Sequence, residues 1–81
     1  MVPRISDMKY TSGYRVWLKF EDGREGEVDL KDELWGEVFE PLRAQERFKT
    51  VCLDRELNTI RWENGADFAP EFLYARLIER S

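Results

Sequence analysis

Tyr14-Arg15-Val16-Trp17-Leu18-Lys19-Phe20-Glu21-Asp22-Gly23-Arg24-Glu25-Gly26-Glu27-Val28-Asp29-Leu30 is the stretch whose alternation decides the fold. Tyr14, Val16, Leu18 and Phe20 point one way, while Arg15, Trp17 and Lys19 point the other. A period of two with one apolar side describes a strand with one buried face. After Glu21-Asp22-Gly23 a second run alternates, ending in Val28 and Leu30. A two-residue turn at Asp22-Gly23 would set Val16 against Asp29 and mix core with solvent positions. A three-residue loop, with Gly23 left-handed, sets Val16 opposite Val28 and Tyr14 opposite Leu30. The same loop places Lys19 opposite Glu25 and Arg15 opposite Asp29 on the wet face, where opposite charges contribute about 0.2–1 kcal/mol per pair.

Working outward, Thr11-Ser12-Gly13 is predicted to join Tyr10 to Tyr14 by the same device, with Met8 opposite Val16. Ile5 then falls on the wrong face, which implies a bulge or an exposed start. Residues 31–47 lose the alternation. Val38, Phe39 and Leu42 have helical spacing, but Pro41 limits a helix there to a turn or two. Alternation returns in Thr50–Asp54 and Thr59–Trp62. A four-residue loop, Arg55–Asn58 with Asn58 left-handed, sets Leu53 opposite Ile60 and Val51 opposite Trp62. Pro70 reads as the first residue of a helix whose apolar stripe is Leu73, Tyr74, Leu77 and Ile78. Gly13, Gly23, Gly26, Gly36 and Gly65 read as turns or breaks. The fold class predicted is α+β: an antiparallel sheet of about five strands, made of a three-stranded meander plus a hairpin, with a short middle helix and a C-terminal helix.

Composition removes several functions. The 81 residues suit a single domain spanning 1–81. Three Trp, three Tyr and five Phe supply a small core, and domains of this size often gain stability by associating. Seventeen acidic against thirteen basic side chains give a net charge of −4, which argues against general binding to nucleic acid. With no histidine in the chain, a Ser-His-Asp triad, a Cys-His pair and a His metal site are excluded. The single cysteine, Cys52, excludes an internal disulfide and suits a reducing compartment. Apolar runs are too short to span a membrane, and the amino terminus does not resemble a signal peptide. A cytoplasmic protein is expected, with no membrane contact.

The segments Val38-Phe39-Glu40-Pro41-Leu42, Asp54-Arg55-Glu56-Leu57-Asn58-Thr59-Ile60 and Trp62-Glu63-Asn64-Gly65-Ala66-Asp67 carry a resemblance. So do Val16–Gly23, Glu27–Leu30 and the closing Pro70-Glu71-Phe72-Leu73-Tyr74. Together they resemble the small bacterial family catalogued as domain of unknown function 2442, over nearly the whole chain. Trp-x-Asn-Gly-Ala-Asp is the most specific part, and Glu63 stands where the family more often has proline. The resemblance implies a compact α+β domain and carries over no catalytic residue. It also implies a partner among other small bacterial proteins, in arrangements similar to toxin–antitoxin pairs. Some members continue into a helix-turn-helix that this chain lacks, so no direct contact with nucleic acid is expected.

Candidate sites are few. Asn64 and Asp67 flank Gly65 near the start of the last helix and, with Arg61, form the candidate polar site. The competing reading is a turn at Asn64-Gly65, with Asp67 giving its carboxylate to amides leading into the helix. Glu25, Glu27 and Asp29 share a face and could be imagined around a cation, but Lys19 and Arg15 opposite would neutralise them. Cys52 reads as a small packed residue rather than a nucleophile. Trp17, on the charged side of its strand, and Trp35, beside Gly36, are the candidate interface residues. Trp62 belongs to the core. No catalytic residue, cofactor or metal ligand is assigned. The function expected is a non-enzymatic protein-interaction or regulatory module, a homodimer with a small, toxin-like protein partner. The alternative is a small ligand-binding protein or enzyme using the Asn64–Asp67 region.

Overall fold

The alternation of residues 14–30 becomes two strands. The computed structural model describes residues 3–80, with side chains as far as Leu77. Strand β2 (Arg15–Phe20) pairs antiparallel with β3 (Glu25–Asp29). Val16 faces Val28, Lys19 faces Glu25 and Arg15 faces Asp29, the register of the three-residue loop. Gly23 holds φ at +95°, a conformation that costs an L-residue energy and glycine almost none. The Asp22 carboxylate accepts the Arg24 amide at 3.0 Å and completes the turn.

Strand β1 (Ile5–Ser12) completes a meander in the order β1-β2-β3. Its register departs from the sequence reading. Tyr10 lies opposite Val16 and Met8 opposite Leu18, two residues from the expected pairing. The connection is therefore tighter, with Ser12 opposite Arg15 and only Gly13 and Tyr14 between. The tertiary contacts of Tyr14 explain this: its ring meets Phe48 edge-on at 5.3 Å, and its hydroxyl donates to the Arg43 carbonyl. A slip of two residues keeps every side chain on its predicted face. The pairing also shifts between Ile5 and Asp7, and this bulge turns Ile5 into the core at 3% exposure.

Gly26, read from sequence as a break, sits inside β3 opposite Leu18. A Cβ there would lie 2.6 Å from Cδ1 of Leu77, so the missing side chain makes room for the last helix.

After Leu30 the chain makes 3-10 turns at Lys31–Glu33 and Glu40–Arg43, then the short helix α1 (Gln45–Phe48). Pro41 stands in the first turn of the second 3-10 segment, where its missing N–H costs nothing. Strands β4 (Cys52–Asp54) and β5 (Thr59–Arg61) form a separate two-stranded sheet. Leu53 pairs with Ile60 as predicted, and Asn58 is left-handed at φ 56°. The ladder stops at Cys52–Arg61. Val51 and Trp62 do not extend it, because the Val51 amide turns back to Phe48 and the Trp62 amide to Ala66. The Ile5 amide donates to the Asn58 carbonyl at 3.0 Å and ties the two sheets together.

Helix α2 (Pro70–Arg80) begins at Pro70 and lays Leu73 and Leu77 on the core. Ile78, the last member of the predicted stripe, lies outside the described side chains. The core joins Val16, Leu18, Phe20 and Val28 of the meander to Phe48, Ile60, Trp62 and Leu73. Its polar atoms are satisfied: the Trp62 indole donates to the Phe48 carbonyl at 2.8 Å and the Thr59 hydroxyl to the Phe68 carbonyl at 2.6 Å. Among the described residues no helix is long and apolar enough to cross a membrane.

Candidate interface groove

Trp35 is the most exposed large apolar residue described, at 69%. Leu34 immediately before it is buried at 1%, and Phe39 after it is half-buried. Gly36, at φ +92°, lets the chain reverse between them, and the Glu40 amide closes the loop onto the Gly36 carbonyl at 2.9 Å. The reversal buries Leu34 and tucks in Phe39 while leaving the indole outside.

Beside Trp35 runs a shallow groove of about 200 Å³ lined by Glu33, Trp35, Phe39, Phe68 and Phe72. Phe39 stacks on Phe68 at 4.7 Å, and Phe68 on Phe72 at 5.5 Å. Edge contacts from Trp62 to Phe39 and Phe68 anchor this row to the core. Arg76 holds the groove's two sides together. Its guanidinium donates to Glu33 at 2.7 Å and to the Asp29 carbonyl at 3.1 Å, and it lies 5.8 Å from the Phe72 ring centre. The partners of Arg76 are internal, which fixes α2 against the end of β3.

Trp17 occupies a different surface. It is half-buried on the outer face of the meander, across from Lys9 and Glu27. On that face Arg15 reaches Glu27 at 3.4 Å and Asp29 at 3.6 Å, as the register predicts, while Lys19 stands opposite Glu25 in the ladder without an ion pair among the described residues. Among the described residues no group of three His, Cys, Asp or Glu side chains could hold a metal ion.

The polar trio is distributed along one hairpin. Arg61 and Asp67 face each other across an isolated antiparallel bridge, but the Arg61 side chain turns to Asp54 at 3.4 Å. The Asp54 carboxylate accepts the Leu57 and Glu56 amides, and these, more than Arg61, hold its pKa below the ordinary 3.8. Asn64 is engaged at both ends: its Oδ1 accepts the Ala66 amide at 3.1 Å and its Nδ2 donates to the Val38 carbonyl at 2.8 Å. Asp67 is exposed and does not cap α2, whose first amide bonds, from Phe72 and Leu73, end on the Ala69 carbonyl. A more polar groove of about 380 Å³ reaches Asn64 between Leu42, Arg47 and Trp62, and neither Arg61 nor Asp67 lines it. Cys52, expected to be packed, is exposed, its thiol 3.5 Å from the Arg61 carbonyl. It stands on the outer side of a two-stranded hairpin that nothing covers among the described residues.

Sequence reasoning singled out Trp35 but missed Phe39, Phe68 and Phe72 as its companions. The signal available was the i, i+4 spacing of Phe68 and Phe72, which lies partly ahead of the helix and so does not register as an amphipathic stripe.

A family model described as protein of unknown function (DUF2442) matches residues 5–79. No curated protein and no solved structure matches the chain.

Proposed function

The chain belongs to the DUF2442 family, whose description assigns no activity, and we propose that it is a non-enzymatic protein-interaction or regulatory module. The observation that carries this reading is Trp35, 69% exposed beside a row of three stacked phenylalanines. An exposed tryptophan beside the half-buried Phe39 and Phe72 has the composition of an interface core, where a few aromatic anchors carry most of the binding energy. The partner is a small protein, in an arrangement similar to a bacterial toxin–antitoxin pair, and the site of action is the cytoplasm. The Trp17 face, with its mixed charges, is the surface for self-association into a homodimer. The alternative, a ligand-binding protein or enzyme built on Asn64 and Asp67, draws on the polar groove beside Asn64. Asn64 is committed to Val38 and Ala66, Arg61 to Asp54, and Asp67 lies outside that groove.

The test is affinity capture from the native host with the tagged wild type, Trp35→Ala and Trp17→Ala, followed by reconstitution with the purified captured protein. A partner retained by the wild type and lost with Trp35→Ala supports the reading. Capture that is the same with all three chains, or a turnover assay that finds a substrate consumed, overturns it.

A further inference from the structure

We propose that the Trp35 groove receives a cationic amphipathic segment of a partner protein, its large apolar side chains seated against Phe39, Phe68 and Phe72 and its Lys or Arg residues on the rim. The inference rests on the interaction reading above and adds the chemistry of the partner. Size comes first. At about 200 Å³ the groove falls below the ~300–1,000 Å³ of small-molecule sites. It suits one or two side chains projecting from a larger body.

Charge decides the rest. Of the residues lining the groove, Glu33, Trp35 and Phe39 come from residues 31–40, a segment that carries Asp32, Glu33, Glu37 and Glu40 against Lys31. Phe68 and Phe72 come from residues 66–72, a segment that carries Asp67 and Glu71 with no basic residue. Glu33 is matched by Arg76 at 2.7 Å. Asp32 belongs to a neighbouring hollow that Lys31 and Arg43 also line. Glu37, Glu40 and Glu71 are exposed, and among the described residues none of these three takes part in an ion pair. An aromatic groove whose lining residues Phe39 and Phe72 are followed or preceded in the chain by the exposed Glu40 and Glu71 attracts a partner with the opposite pattern, apolar at the centre and basic around it. The same carboxylates disfavour other occupants. A second copy docked face to face would set these carboxylates against their own equivalents. The phosphates of a nucleic acid or of an anionic membrane meet the same repulsion.

The probes are two synthetic amphipathic peptides, each with Leu and Phe on one helical face. One carries Lys on the other face and its counterpart carries Glu. Each is titrated into the full chain by calorimetry, with amide and indole chemical shifts locating the contact. The Lys peptide should bind with shifts at the Trp35 indole and around Phe72, and the Glu peptide at least roughly tenfold more weakly. Trp35→Ala should weaken the Lys peptide by about tenfold or more, as for an anchor residue. The triple variant Glu37→Lys, Glu40→Lys, Glu71→Lys should invert the preference, and unchanged melting of these surface variants shows that they are folded. Equal binding of both peptides through Trp35 overturns the charge inference and leaves the interaction reading standing. Binding indifferent to Trp35→Ala overturns the inference by placing the contact elsewhere. If neither peptide binds, the inference fails alone when Trp35-dependent capture from the host persists, and together with the interaction reading when that capture is also absent.

Discussion

Gly26 and Leu77 form a matched pair whose coupling can be measured. A methyl group at position 26 would stand 2.6 Å from Cδ1 of Leu77, about 1 Å inside the optimal carbon–carbon separation of roughly 3.5–4.0 Å. Leu77 is 6% exposed and belongs to the buried core cluster, so its side chain moves only by displacing packed neighbours. Overpacking of this kind costs about 1–3 kcal/mol. The backbone of Gly26 is not left-handed, so alanine also recovers about 0.5–1 kcal/mol of the entropy that glycine loses in a strand. The net loss expected for Gly26→Ala is therefore about 0–2.5 kcal/mol. Leu77→Ala alone should cost about 2–5 kcal/mol, as for buried leucines generally. In the double variant the obstructing methyl is gone, and Gly26→Ala should become neutral or stabilising by up to about 1 kcal/mol. The coupling energy is then about 1–3 kcal/mol, far above the ~0.3–0.5 kcal/mol scatter of independent sites. Urea denaturation of the four chains, read by tryptophan fluorescence with m-values checked for constancy, supplies the cycle. Additivity within about 0.5 kcal/mol would refute the claim that glycine stands at 26 to admit the helix.

Gly23→Val should destabilise the domain by at least about 1 kcal/mol in the same assay, because a β-branched residue is strained at φ +95°; a loss below about 0.3 kcal/mol would mean that the loop relaxes into another turn. The Asp54 carboxyl is held below its ordinary pKa of 3.8 by the Leu57 and Glu56 amides. The stability it contributes is therefore full above pH 3.8 and is lost as pH falls through the lower, folded value. Asp54→Asn should flatten the fall in urea midpoint below about pH 4, and an unchanged acid profile would place the sensitivity elsewhere, as at Asp22, whose pKa the Tyr74 hydroxyl lowers. Light scattering at micromolar concentration should give twice the 9.7 kDa chain mass for the wild type and a monomer for Trp17→Ala; a wild-type monomer would rule out the homodimer.

Local periodicity was sufficient for the β2–β3 and β4–β5 hairpins. Charged residues alternate with apolar ones on both sides of Glu21-Asp22-Gly23, so only one loop length keeps Val16 against Val28, and the structure has that register. Leu53 against Ile60, Asn58 left-handed and Pro70 opening the last helix were legible for the same reason: each depends on residues close in sequence. The failures share a different cause. The first hairpin tightens because Tyr14 is drawn to Phe48 and Arg43, about thirty residues away. Gly26 looks like a break until α2 arrives with Leu77. Trp35 could be named as a surface candidate from its place beside Gly36. Its groove, however, needs Phe39, Phe68 and Phe72 brought together from two segments by the core contacts of Trp62. Sequence determines which face of each element is apolar, because that is set by neighbours two to four positions apart. Which apolar faces are then covered, and which one stays open beside Trp35, is decided only when those elements compete for the same small core.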